Sequence, residues 1–210
     1  MKIALLGAES TGKTQLATQL AAHYVASGET VGVVAEVLRE WCAREGRTPR
    51  PEEQMPIAIE QERRVDEAAA NARIVIADTT AVMVAIYSAM LFEDGSLLRF
   101  ALERQRGYDV TLVTGLDLPW VADGLQRDGP HVREPVDTLV RQILAQAGVT
   151  FHVIYGSGEQ RLSNALRAIG PRVDGAPGTH VGDRAGAWQW ACDRCGDAAC
   201  EHRLFSGLLG

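Results

Sequence analysis

The segment Gly7-Ala8-Glu9-Ser10-Thr11-Gly12-Lys13-Thr14 fits the pattern G-x-x-x-x-G-K-[ST], and no other part of the chain restricts the fold as strongly. Its flanks give the pattern meaning. Ile3-Ala4-Leu5-Leu6 is a continuous apolar run closed by Gly7, which reads as a buried strand, and Lys13 to Ser27 carries Leu16, Leu20 and Tyr24 at helical spacing. In a strand–loop–helix unit the glycines allow a tight turn, and the loop N–H groups of Gly7, Ala8, Glu9, Ser10, Thr11 and Gly12 converge on phosphate oxygens. The start of the helix adds a field that favours an anion. Lys13 is placed to reach the β- and γ-phosphates of ATP, and Thr14 to ligate Mg²⁺. The loop leaves open whether the γ-phosphate passes to water, as in a switch or motor, or to an acceptor hydroxyl, as in a kinase.

Further short apolar runs follow at Val31 to Ala35, Arg73 to Ala77, Val110 to Thr114 and Phe151 to Ile154, each separated from the next by helical patterns. Continuous apolar strands alternating with helices predict a parallel sheet covered on both faces, that is, a three-layer α/β/α fold with a five-stranded sheet. With 46% hydrophobic and 23% charged residues among 210, the chain can bury one main core and carry a small appendage. The net charge of -6 and the lack of a Lys/Arg stripe make nucleic acid an unlikely partner. The apolar run after Met1-Lys2 is too short for a secretory or membrane segment, so a cytoplasmic location is expected, with no membrane contact; a homo-oligomer is left open.

Ligands of open parallel sheets gather at the carboxyl ends of the strands, so polar residues there are candidates for the site. Asp78 follows the third predicted strand and has the placement of an acidic residue that holds Mg²⁺ or its water; the alternative is a helix N-cap. Glu36 follows the second and is placed to accept the proton of an attacking hydroxyl, or else to stabilise a helix N-terminus. Arg39, one turn on, either clamps substrate with Glu36 or forms a surface i,i+3 pair with it. Asp117 follows the fourth strand and opens a stretch to Gly129 rich in charge and turn residues. That stretch reads as a lid, with Arg127 and Arg133 as the arginines available to stabilise a transferring phosphoryl group.

With these residues in place, Lys2 to Ile169 resembles the P-loop kinase domain of the NadR type, within the P-loop NTPase superfamily. That family phosphorylates nicotinamide riboside to the mononucleotide. The marks are the phosphate loop, Glu36-x-x-Arg39-Glu40, Gln61, Asp78-Thr79 and Trp120-Val121-Ala122-Asp123-Gly124-Leu125. Where the family tends to continue with Arg, this chain has Gln126 and then Arg127. The resemblance implies an ATP- and Mg²⁺-dependent kinase acting on a small nucleoside, with Arg127 in the lid. Arg161, after Gly156-x-Gly158, would lie near adenine, or would simply start a helix. A pyridinium cation suits an aromatic face, which Trp120 and Tyr87 can supply while Asp123 grips ribose hydroxyls; Tyr87, spaced with Val84 and Leu91, also suits a core position. A regulatory ATPase or sensor, and a kinase for another nucleoside, remain as alternatives.

After Ile169 the texture changes. Residues 170–187 lack apolar periodicity and read as a linker, leaving 188–210 as a tail too short to fold on a hydrophobic core alone. Cys192-x-x-Cys195-x4-Cys200-x-His202 supplies the four soft and borderline ligands that a structural Zn²⁺ takes. His131, His180 or a partner chain could replace one ligand, and a Cys192–Cys195 disulfide or free thiols are the plainer alternatives.

Overall fold

The computed structural model describes residues 1–121 and 130–170. In chain order they form β1 (Lys2–Leu6), α1 (Lys13–Ala26), β2 (Val31–Val34), α2 (Val37–Glu45), α3 (Pro51–Asn71), β3 (Ile74–Asp78), α4 (Ala81–Phe92) and α5 (Ser96–Gln105). These are followed by β4 (Val110–Thr114), a 3₁₀ turn (Pro130–Val132), α6 (Arg133–Gln146), β5 (His152–Ile154) and α7 (Gly158–Ile169). Pro51 occupies the first turn of α3, where the missing N–H has no intrahelical partner to lose.

The five strands pair in the order β2-β3-β1-β4-β5, and every pairing is parallel. The inner strands β1, β3 and β4 are short and mostly apolar on both faces because helices cover both, while the edge strands β2 and β5 leave Val33 and His152 exposed. The alternation of the pleat assigns the faces. Ile3, Leu5, Ile74, Ile76, Leu112 and Ile154 pack with Leu16 and Leu20 of α1 and Ala165 of α7. On the other face, Ala4, Val75, Ala77 and Val34 meet Val65 of α3, while Leu6 and Val113 join the larger cluster built by α3, α4, α5 and α6. The expected three-layer α/β/α arrangement is therefore present over the described residues.

The strand order also determines what stands beside what at the carboxyl edge. β1 is central, β3 is its neighbour and β2 lies beyond β3. In register, Leu5 is opposite Asp78 and Val34 opposite Ala77, so the ends of all three strands come level. The phosphate loop, Asp78 and Glu36 therefore stand in a row, with a strand spacing of about 4.8 Å between successive members.

Candidate active site

The phosphate loop leaves β1 through Gly7, whose φ of 139° is open only to glycine, and an added Cβ there would lie 2.3 Å from Thr114 Oγ1. The loop thus sits against the end of β4 with no room for any side chain. Gly12, at φ 77°, caps α1 and turns the chain into the helix. Ser10 adopts a φ of 56°, so the loop alternates hand as anion-binding backbone nests do.

Hydrogen bonds within the loop and to its neighbours hold this shape. The Thr11 and Thr114 hydroxyls lie 2.6 Å apart; Thr11 Oγ1 donates to Ala8 O at 2.7 Å and Thr114 Oγ1 to Leu6 O at 3.1 Å. Lys13 Nζ donates to Gly7 O and Ala8 O at 2.9 and 2.8 Å, folding its ammonium over the loop with only 9% of the residue exposed. Ser10 Oγ donates to Val121 O at 3.1 Å and accepts from Val121 N at 2.8 Å, which draws the Trp120-Val121 segment alongside the loop. Trp120 is half-buried, and its buried indole N–H has no hydrogen-bond partner among the described residues.

Asp78 is the last residue of β3 rather than the first beyond it, and the sequence alternative for it, an N-cap, falls to Thr80. The Thr80 hydroxyl accepts from Val82 N at 3.2 Å at the start of α4. Asp78 Oδ2 instead accepts a hydrogen bond from the Thr14 hydroxyl, while its Oδ1 is buried and has no hydrogen-bond partner among the described residues. A hydroxyl and a carboxylate meeting at the base of the loop, one carboxylate oxygen still open, are hard oxygen donors of the type Mg²⁺ accepts. The residues present fit the ion.

Glu36 occupies the N-cap position of α2 without making a side-chain cap. The N–H of Val37 is satisfied by Gln61 Oε1 at 2.9 Å, from α3, and this leaves the Glu36 carboxylate to pair with Arg39 at 3.1 Å. The Glu36 side chain is 12% exposed and that of Arg39 is 47% exposed, so the acid is sheltered and its partner faces solvent. Tyr87 is half-buried against the cluster under α4, the core position that its spacing allows.

Arg161 is 3% exposed, and its guanidinium is spent on the protein itself. Nη2 donates to Thr11 O at 2.7 Å, and Nη1 to Gly156 O at 2.7 Å and Asp117 Oδ1 at 3.2 Å; Asp117 Oδ2 accepts from Gly156 N at 2.6 Å. Arg161 and Asp117 thereby tie the phosphate loop to the chain beyond β4 and β5. Arg133, at the start of α6, donates to Leu116 O at 3.3 Å and Leu118 O at 2.9 Å and steadies the same stretch. Arg127, Asp123, Cys192, Cys195, Cys200 and His202 lie outside the described residues.

A set of polar residues behind Asp78 has no signal in the sequence. Glu62 of α3 is buried, accepts from Ala81 N at 2.9 Å and Tyr108 Oη at 3.1 Å, and lies 3.7 Å from Arg104. Burial pushes its carboxyl above the usual range against the pull of those donors, and burial raises the Tyr108 phenol as well. In the sequence Glu62 is one charge among many along α3, and only packing separates it from them.

Known structures share this architecture. A crystal structure of NadR protein in complex with NR aligns at 19% identity and a TM-score of 0.61, covering 84% of this chain and 53% of that one. NadR protein in complex with NAD and AMP-PNP aligns at 16% and 0.58, covering 83% and 51%. Deoxyadenosine kinase from M. mycoides, with products dCMP and a flexible dCDP bound, aligns at 13% and 0.54, covering 78% and 95%. The chain spans about half the length of the NadR proteins, and at these identities the likeness is one of fold. No curated protein matches the chain in sequence. Residues 2–161, which run from β1 through the phosphate loop to Arg161, match the AAA domain family, and the chain belongs to it.

Proposed function

We propose that this protein is an ATP-dependent kinase for a small nucleoside, with nicotinamide riboside as the leading acceptor. The observation that carries the reading is the row at the carboxyl edge of the sheet. The phosphate loop ends β1, Asp78 meets Thr14 at the adjoining strand, and the sheltered carboxylate of Glu36 lies one strand further. A switch or motor needs the first two; an acid standing beyond them suits an acceptor hydroxyl. The NadR and deoxyadenosine kinase folds support the same class. The NadR-like motifs and the half-buried Trp120 beside the loop favour a pyridinium nucleoside, with Asp123 at its ribose hydroxyls and Arg39 clamping substrate together with Glu36.

In this mechanism the loop amides and Lys13 hold the phosphates. Thr14 and Asp78 would hold Mg²⁺, which when bound would neutralise charge on the transferring group. The acceptor 5′-oxygen attacks the γ-phosphorus, the bond to the β–γ bridging oxygen breaks, and the acceptor proton passes to Glu36. Arg127 would steady the charge from the segment after Trp120, and Arg161 would act on the nucleotide through the loop it holds.

The test is acceptor-stimulated ADP formation with Mg-ATP across a panel of nucleosides, nicotinamide riboside first. The mononucleotide is the expected product. Glu36→Gln should lower the acceptor-dependent rate about 100-fold while leaving ATP binding nearly intact. Efficient phosphorylation of some other nucleoside would move the acceptor, and ATP hydrolysis indifferent to every nucleoside would sink the kinase reading in favour of a regulatory ATPase.

For the tail, the reading is a structural Zn²⁺ on Cys192, Cys195, Cys200 and His202, which stands on their spacing alone. Among the described residues no group of His, Cys, Asp and Glu is placed to hold a metal, and Cys42 is a buried thiol. Protein purified without added zinc should contain about one equivalent, lost in Cys195→Ser, as four ligands from one chain require. Full-length protein free of zinc would rule the site out.

A further inference from the structure

Asp78 ends its strand on a strained turn. Thr79 has a φ of 74°, a left-handed conformation that a β-branched residue adopts only when its surroundings impose it. Its N–H donates to Leu5 O at 3.0 Å, a single tie back to β1. The next two residues are held from elsewhere. Thr80 Oγ1 donates to Gln105 Oε1 at 2.7 Å, and Gln105 Nε2 donates in turn to Thr111 Oγ1 of β4 at 2.9 Å. Ala81 N donates to Glu62 Oε1, while Glu62 Oε2 takes the Tyr108 hydroxyl.

Every side chain in these two chains is buried: Thr80 at 0% exposure, Gln105 at 1%, Glu62 and Thr111 at 3%. A carboxylate and a carboxamide enclosed in an α/β core are costly to keep there unless fully bonded. Part of their work lies at the start of α4, where Gln105 holds the capping residue Thr80 and Glu62 takes the N–H of Ala81, the first of the helix. They also hold, from α3 on one side and α5 and β4 on the other, the turn whose geometry aims the Asp78 carboxylate at Thr14.

We infer that Glu62 and Gln105 are positioning residues that orient Asp78 toward the metal of a bound metal–nucleotide complex. The inference rests on the reading of Thr14 and Asp78 as the metal-supporting pair, but not on the identity of the acceptor. Outer partners of this kind change metal affinity when removed, even though they touch no metal themselves.

The experiment measures calorimetrically how much Mn²⁺ strengthens AMP-PNP binding to the full-length protein, relative to binding in EDTA. Glu62→Met and Gln105→Met should each cut the Mn²⁺-dependent gain about 10-fold and leave metal-free AMP-PNP affinity unchanged. Glu62→Gln keeps an acceptor for Ala81 N and a partner for Tyr108, and should restore the gain to within about 2-fold, because geometry and not charge is what it supplies. Should Glu62→Met fail to fold, Gln105→Met and Glu62→Gln decide the matter. Folded variants with the wild-type gain would overturn the positioning role while leaving the metal pair intact. A wild-type protein whose AMP-PNP affinity ignores Mn²⁺ would overturn the metal pair as well.

Discussion

Lys13→Ala should abolish measurable turnover while leaving a folded protein. Lys13 is the only lysine of the loop, and its ammonium already lies over the Gly7 and Ala8 carbonyls, within the space the phosphates would share. Once its charge is gone, the remaining donors are loop N–H groups, which are partial charges on fixed dipoles. Removing one preorganised donor to a developing anion typically costs about 10²–10³-fold in rate, and a full positive charge sits at the upper end of that range. The fold does not depend on it, because the loop keeps the Thr11, Thr114 and Arg161 bonds that shape it. ADP release under saturating ATP and acceptor, read beside a thermal melt, checks both halves. Near wild-type turnover in a folded Lys13→Ala protein would refute the assignment of the loop.

Asp78→Asn should lower the maximal rate about 100-fold and raise the Mg²⁺ concentration needed to reach it. The asparagine carbonyl can still accept from the Thr14 hydroxyl, so the contact at the base of the loop survives. The negative charge does not. In addition, the amide nitrogen takes the place of Oδ1, which is buried and has no hydrogen-bond partner among the described residues, and an unsatisfied buried donor costs about 1–3 kcal/mol. A modest drop in melting temperature should therefore accompany the loss of rate. Initial rates across a Mg²⁺ titration separate the two effects, since a purely structural role would lower the melt and leave the Mg²⁺ dependence of the rate unchanged.

Among the other variants, Glu36→Gln and Gln105→Met probe groups with different legibility. Glu36 is visible as a carboxylate just past an apolar run, and strand order then places it in line with the loop. Gln105 is one polar residue near the end of an amphipathic helix and carries no local mark.

The sequence alone determined the phosphate loop, the five strands and the layered α/β architecture. These depend on local patterns: an apolar run, a glycine-rich turn, a helical period. It also brought Glu36 and Asp78 forward, because the ends of parallel strands are where polar residues are exposed to a ligand. It left two readings for each of them, and the tertiary structure shows which groups make the side-chain caps beside them. Thr80 caps α4 and Gln61 accepts the N–H of Val37 at the start of α2, so neither carboxylate makes a side-chain cap, although Glu36 stands at the N-cap position of α2. Arg161 changed character more fully. In sequence it is an arginine that would lie near adenine or start a helix, but contacts 150 and 44 residues distant, to Thr11 and Asp117, make it a tie between loops. The same holds for Glu62, whose bonds run to Ala81 and Tyr108, 19 and 46 residues away. Periodicity reports which side of an element is apolar. It carries no record of which distant backbone group a buried polar side chain will find, because that choice is made only when the layers close and every enclosed donor and acceptor must be matched.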